Sequence, residues 1–483
     1  MSAQLSTPTD ELERGIFLQG KVVKTGITYS IQSPYNGDFV ATVHRAGPAE
    51  VERAIAAATQ AFQVTRKLPT WKRSEVLERI SASLLSHRES LAQDMAREAG
   101  KPISAARAEV DRAAFTFKVA AEEARRIYGE IIPFDWLPGT EGRTGYVQRV
   151  PLGPIVGITP FNYPLNLVAH KVAPALAAGN PIIIRPASQT PLSALNLGRI
   201  VVEAGWPEDA IAVLPSSVST AAPLIEDDRI KLLTFTGSPE VGWNIKARSK
   251  RKRVTLELGG NAGVIVHHDA DLAYAAERVA WGGFQYAGQS CISVQRVYIQ
   301  EEVYDAFTNL LCARVGALKL GDPLDETTDI GPVIDLANAE RIESWIKSAV
   351  AQNARVLVGG KRQGTLVEPT VLADISEDMP ISCQEVFGPV LGLYRYREGR
   401  DAIHAVTNSD FGLQAGIFTN DWRLIQDAFE EIEVGGLVVN DVSTFRIDHQ
   451  PYGGVKSSGA GREGVRYAIE EMTEIKVMSV NRR

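Results

Sequence analysis

The stretch TGYVQRVPLGPIVGITP, residues 144–160, marks a change of pattern along the chain. It reads as strand, turn and strand. Before it, apolar residues recur at helical spacing. Val51, Ile55 and Ala58 follow Pro48, and Val76, Ile80, Leu84 and Leu91 line a helix from about residue 74 that Gly100 and Pro102 stop. Residues 103–127 also read as helix. After it, strands and helices alternate. Residues 182–185, 211–214 and 231–236 read as strands, and 193–204 and 221–225 as helices. That rhythm predicts a parallel sheet covered by helices.

The next strand lies in RVTLELGGNAG, residues 253–263. Val254, Leu256 and Leu258 alternate with Thr255 and Glu257, so Glu257 is expected to face away from the apolar side. Gly259 and Gly260 then suit a crossing between domains. A second α/β stretch runs from about 261 to 440, with helices near 272–279 and 303–318 and strands near 354 and 390. A chain of 483 residues exceeds one ordinary core and should form two or three domains.

Composition narrows the class. Hydrophobic residues at 45% and charged residues at 23% are ordinary globular values. The net charge of −7 argues against a nucleic-acid partner, and the basic run at 250–253 reads as a solvated loop. Cys291, Cys312 and Cys383 are too few and too scattered for a disulfide framework and fit a reducing compartment. The polar, acidic opening does not resemble a signal peptide, and no apolar stretch is long enough to span a bilayer. The expectation is a cytoplasmic protein without a membrane partner. His267, His268 and Asp269 read as a solvated loop, since neighbours on a strand end point opposite ways, and no metal is expected.

Four motifs could carry chemistry. Gly288, Gln289 and Ser290 place Cys291 at a turn before a strand-like run at 294–299, so it is either a small core residue or a displayed nucleophile. In FTGSPEVG, residues 235–242, Gly237 and Ser238 turn the chain after a strand, and Pro239 suits a first helical position, which makes an anion site. In TPFNYP, residues 159–164, Asn162 either holds an oxyanion or satisfies a local turn. GAGREG, residues 459–464, matches a dinucleotide-turn pattern but lacks the flanking βαβ unit, so it reads as glycine-rich loop packing.

Taken in order, TPFNYP, RPASQTPLSA, FTGSPEVG, LELGGN, GQSC, EVFGPVL and PYGGVKSSGAGREG resemble the aldehyde dehydrogenase superfamily over residues 20–480. The branch that looks nearest contains lactaldehyde, non-phosphorylating glyceraldehyde-phosphate and succinic semialdehyde dehydrogenases. The resemblance implies a doubly wound cofactor domain, a second α/β catalytic domain and a small β oligomerisation element. It implies that Cys291 is the nucleophile, that Asn162 and the Cys291 N–H hold the oxyanion, and that Glu257 activates water on the thioester. Glu463 matches a residue proposed to assist proton transfer; an ion pair with Arg462 is the alternative. The cofactor, NAD or NADP, is expected to meet Thr159, Pro160, Arg185, Ser188, Gly237, Ser238, Gly259, Glu385 and Phe387.

The departures from the family's pattern bear on specificity. The family usually has Lys at Arg185, and many NAD-preferring members have Glu at Ser188. Losing that negative charge beside Arg185 should admit the 2′-phosphate of NADP. Ser290, where phosphate-using members often carry a basic residue, counts against a phosphorylated aldehyde. His170, Phe445, Arg446 and His449 are polar for a fatty-aldehyde tunnel, which points to a small polar or acidic aldehyde held at Arg446 or His449. Relatives that acylate coenzyme A usually lack a carboxylate at Glu257, so a free acid is the expected product. That acylating chemistry and a non-catalytic protein on the same fold are the rivals. Residues 1–126 and 151–258 are expected to form the dinucleotide-binding domain and 259–465 the catalytic domain. Residues 127–150 and 466–483 resemble strands awaiting a partner chain in a homodimer or homotetramer.

Overall fold

Ile182 and Ile184 pack into one apolar layer and Ile183 into another, because successive side chains of a strand point to opposite faces. A strand apolar on both sides belongs in a parallel sheet with helices on both faces. In the computed structural model, which describes residues 12–482, that strand lies inside an eight-stranded sheet. The order is Gly459–Ala460, Arg253–Glu257, Leu232–Thr236, Ile155–Ile158, Ile182–Arg185, Ile211–Val213, Ile16–Leu18 and Lys21–Val23. The five strands from Arg253–Glu257 to Ile211–Val213 are parallel, and the flanking pairs are antiparallel.

The chain builds Ile155–Ile158 first and adds Ile182–Arg185 and Ile211–Val213 on one side. It then adds Leu232–Thr236 and Arg253–Glu257 on the other. Strand order therefore reverses between Ile155–Ile158 and Leu232–Thr236. Helices leave such a point in opposite directions, and a crevice opens at the carboxyl ends of the two strands.

A second sheet of seven strands runs in the order Arg355–Val358, Thr370–Ala373, Val390–Tyr396, Val294–Gln300, Ala262–Val266, Gln414–Phe418 and Gly436–Val439. All its neighbours are parallel except the first pair. Residues 258–261 connect the two sheets. A third, antiparallel sheet joins Glu130–Pro133, Arg143–Pro151 and Thr473–Asn481. Its last two strands run in continuous register from Thr473 opposite Pro151 to Asn481 opposite Arg143. The two stretches expected to await another chain thus pair with each other.

Several local expectations change. The helix expected from 74 to 100 is two, Thr70–Ser86 and Arg88–Ala99. His87 breaks it by leaving helical geometry (φ −104°, ψ 16°) while its ring binds the Ser83 carbonyl. Leu91 sits on the second helix. Thr255, Leu256 and Glu257 are all buried, because their strand lies between two neighbours in a sheet covered on both faces. GAGREG contributes Gly459–Ala460 as an edge strand beside Leu256 and Glu257. His267 is buried and shares a hydrogen bond with the Tyr396 hydroxyl, so only part of the 267–269 stretch is solvated. Among the described residues no cluster of side chains could hold a metal ion, and no helix is long and apolar enough to cross a membrane. The opening residues 1–11 and Arg483, included in the expectations above, lie outside the described residues.

Candidate active site

Three segments meet at the strand-order reversal. The loop after Ile155–Ile158 carries Asn162. The turn after Leu232–Thr236 leads into the helix Pro239–Arg248, with Ser238 at its N-cap and Pro239 in its first turn. The strand Arg253–Glu257 ends at Glu257, and the chain passes through Gly259 and Gly260 to the second sheet, where Cys291 precedes Val294–Gln300.

The backbone around Cys291 is tightly set. Tyr286, Ala287 and Gly288 all have positive φ, at 50°, 52° and 66°. Two consecutive non-glycine residues there store strain of the kind held at functional sites. Gln289 braces the turn: its side-chain oxygen accepts from the Ile334 N–H at 2.8 Å, and its carbonyl accepts from the Asn162 amide at 2.9 Å. Gly260 packs so closely that an added Cβ would lie 2.1 Å from the Cys291 carbonyl oxygen. The Asn162 amide spends one N–H on Gln289 and has a second to offer, while its own oxygen is buried without a partner.

A cavity of about 530 Å³ spans the junction. Cys291, Ser290, Asn162, Pro160, Gly237, Ser238, Gly259, Glu385, Phe387, Phe445 and Arg446 line it. The Glu385 carboxylate accepts from the Gly260 N–H at 2.9 Å, and burial pushes its pKa up to about 7. Phe387 packs edge-on against Phe161.

Other expected residues lie elsewhere. Thr159 and Arg185 sit at the ends of adjacent strands, and Ser188 follows in the next turn; none of the three lines the cavity. His170 is wholly buried in the helix Asn166–Ala178, where it bonds Asp448. His449 is exposed and meets Phe115 edge-on, because Asp448 turns inward and its neighbour must turn out. Neither histidine reaches the cavity wall.

Glu257 and Glu463 lie behind the wall in a buried polar cluster. Lys171, fully buried, reaches Glu463 at 3.0 Å, Thr236 at 2.7 Å and Thr234 at 3.1 Å. Glu463 also takes Arg446 at 3.3 Å, so its ion-pair partners are Lys171 and Arg446, where the alternative reading of the sequence had Arg462. The two carboxyls titrate oppositely. Burial raises Glu257, the nearby Glu463 charge adds to it, and both Glu257 oxygens lack a hydrogen-bond partner. Burial would raise Glu463 too, but Lys171 and Arg446 hold it down at about 2. A proton shared by two close carboxyls settles on the one without the cations.

Sequence reasoning missed four contributors. Tyr452 puts its hydroxyl 3.2 Å from the Cys291 sulfur, and the Arg446 guanidinium stacks 3.6 Å above its ring. Arg112 shares a helix face with Ala105, Ala108 and Glu109 and reaches Asp448 at 2.7 and 3.1 Å. Gln289 and Lys171 complete the set. Tyr452 and Gln289 sit in quoted motifs and Lys171 follows His170; Arg112 had no signal beyond helical spacing. Burial pushes the Cys291 thiol up to about 12, with the Tyr452 hydrogen bond pulling the other way.

Comparison with known proteins places the chain in a family. A model of the aldehyde dehydrogenase family matches residues 22–478. The 3-sulfolactaldehyde dehydrogenase of Priestia aryabhattai is 44% identical over 478 residues, covering 99% of this chain and 100% of that protein. The crystal structure of aldehyde dehydrogenase 21 from Physcomitrella patens, in complex with the reaction product succinate, superposes with a TM-score of 0.95 at 44% identity, covering 97% of this chain and 98% of that one. A glyceraldehyde-3-phosphate dehydrogenase from Methanocaldococcus jannaschii, complexed with NADP, gives 0.91 at 36% identity, covering 95% of this chain and 100% of that one.

Proposed function

The chain belongs to the aldehyde dehydrogenase family and is an NAD(P)-dependent oxidoreductase acting on aldehydes; from that premise we propose that its substrate is a small aldehyde carrying one anionic group, oxidised through Cys291 to the free acid. The observation that carries the substrate class is that Arg112 and Arg446 line the same cavity as Cys291. Arg112, Arg446 and Lys171 supply three positive charges. Asp448 and Glu463 return two negative ones, and Glu257 is neutral while protonated. One positive charge is left for a carboxylate or sulfonate tail, and a low-dielectric pocket makes that charge count. A relative named for sulfolactaldehyde and a related structure holding succinate fit the same chemistry.

The residues present fit a nicotinamide dinucleotide. Three buried polar atoms without partners, Thr159 Oγ1, Arg185 Nε and Ser216 Oγ, gather at or just beyond the ends of neighbouring parallel strands, where a ribose would find them. The N-terminus of Pro239–Arg248 offers unpaired N–H groups to a pyrophosphate, and Glu385, which lines the same cavity as Ser238, would accept ribose hydroxyls. The bound cofactor supplies the acceptor for the aldehyde's hydride. Ser188 and Arg185 favour acceptance of NADP.

The chemistry of the chain's own residues follows. The Cys291 thiolate adds to the aldehyde carbon. The Asn162 amide and the Cys291 N–H stabilise the oxyanion; losing one such donor costs roughly 3–4 kcal/mol of barrier. Loss of hydride leaves a thioester on Cys291. Glu257, once ionised, takes a proton from the water that cleaves it. That carboxylate favours hydrolysis over transfer to coenzyme A. Exposed Ile475, Val477 and Met478 on the Thr473–Asn481 strand support a homodimer or homotetramer, which light scattering would test. Cysteine content supports a cytoplasmic location.

The test is NAD(P)H absorbance with succinic semialdehyde, lactaldehyde, 3-sulfolactaldehyde and propanal, without coenzyme A, on wild type, Cys291→Ser and Arg446→Ala. We expect turnover that requires Cys291 and a KM for anionic aldehydes that rises at least tenfold in Arg446→Ala. Unchanged KM for those substrates would remove the anionic-tail reading. Turnover in Cys291→Ser would remove the nucleophile.

A further inference from the structure

We propose that Tyr452 holds the Cys291 thiolate, donating its phenolic proton to the sulfur before the aldehyde is attacked. The inference rests on Cys291 being the nucleophile. The Tyr452 oxygen and the Cys291 sulfur are 3.2 Å apart, and among the described residues no other hydrogen-bond partner reaches that hydroxyl. Tyr452 is buried, and its backbone is locked against Glu463, whose carbonyl accepts its N–H at 3.0 Å and whose N–H donates to its carbonyl. The bridge fixes the backbone from which the ring projects, and the ring is packed under the Arg446 guanidinium. Arg446 lies 3.6 Å from the ring centre. A guanidinium over the ring draws electron density from the phenol and makes its O–H a stronger donor.

The need for such a donor is visible in the same site. Burial disfavours a charged sulfur, and the described residues place no lysine or histidine against it. The Tyr452 phenol is itself driven well above its ordinary range by burial and by the adjacent sulfur. It keeps its proton where the thiol has lost its own, so it donates and the thiolate accepts. Hydrogen bonds to charged groups are the strong ones, and a fixed one in a dry cavity is organised before the reaction begins.

The experiment is alkylation of Cys291 by iodoacetamide across pH 7–10 without cofactor or aldehyde. The Cys291 peptide is followed by mass spectrometry, so Cys312 and Cys383 do not interfere. In Tyr452→Phe the ring, the Arg446 stack and the backbone bridge remain. Losing the donor makes the thiolate scarcer, partly offset by a more nucleophilic thiolate, so alkylation should slow about three- to tenfold at each pH. Tyr452→Leu, which also lacks the hydroxyl, should slow it in the same direction. Rates equal to or above wild type in either folded variant would overturn the proposal. The readout needs no turnover, so it fails separately from the nucleophile assignment, which Cys291→Ser tests.

Discussion

Gly260→Ala isolates the contact that sets the nucleophile's backbone. The glycine has no positive φ to lose, so backbone strain plays no part. The new Cβ would stand 2.1 Å from the Cys291 carbonyl oxygen and 3.3 Å from its carbon. An ordinary contact needs 3.4 Å, so something must move by more than an ångström. The crowded atom is backbone, which has no rotamer to escape into. Movement falls on Cys291, on the chain leading into Ala262–Val266, or on both. A displacement near 1 Å at the reacting group costs on the order of 10²-fold in rate, and overpacking of this kind costs about 1–3 kcal/mol of stability. We expect a folded protein whose kcat/KM falls about 10²-fold while cofactor affinity changes less than threefold. Stopped-flow NAD(P)H formation and cofactor titration by fluorescence read the two. The control is Gly316→Ala, at the end of the helix Tyr304–Gly316, where an added Cβ meets nothing within 4 Å. It should keep full activity and gain up to about 1 kcal/mol. A folded Gly260→Ala enzyme within threefold of wild type would refute the idea that this contact aims the thiol.

Four further outcomes are expected. Glu257→Gln should release one equivalent of NAD(P)H per site and then stall, with steady-state turnover down about 10²–10⁴-fold; undiminished turnover would remove Glu257 as the base. The same variant bears on stability. The folded pKa of Glu257 is raised above its ordinary 4.5, so its contribution is fully present below that value and is lost as pH rises toward the folded value. Wild-type stability should therefore fall by up to about 1.4 kcal/mol per pH unit across that window, and urea titrations of Glu257→Gln at pH 6, 7 and 8 should show a shallower decline. Ser188→Glu should raise the KM for NADP about tenfold or more and leave NAD nearly unchanged; equal values in variant and wild type would sink the charge argument. Lys171→Met leaves Glu463 buried with Arg446 as its sole cation and should cost about 3–5 kcal/mol in chemical denaturation, whereas a loss under 1 kcal/mol would mean the cluster relaxes.

What the sequence disclosed follows the range of its signals. Alternation of strands and helices reported the parallel sheet, because Ile182–Arg185 and Leu232–Thr236 are short apolar runs bounded by turns. It could not report the burial of Glu257, which depends on two neighbouring strands and a helix layer supplied by distant sequence. Cys291, Asn162 and Ser238 stand in turns whose residue types betray them. Arg112 stands mid-helix, where an arginine resembles any solvated one; only the fold brings it opposite Asp448, 336 residues away. His170 and His449 looked alike as polar residues near the expected tunnel. Packing sends one into the core and the other to solvent.

The edge strand Gly459–Ala460 has a consequence in time. It seals the side of the sheet that ends in Glu257, yet it lies about 200 residues further along the chain. At ribosomal speeds of about 5–20 residues per second, the half-built sheet waits roughly 10–40 s for its last strand. Throughout that interval the strand Arg253–Glu257 is an open edge that could recruit a neighbouring nascent chain. The late segment also delivers Tyr452 and Glu463. The same late segment therefore closes the open edge and supplies the hydroxyl beside the thiol, and a ribosome stalled before residue 450 holds a chain that lacks both.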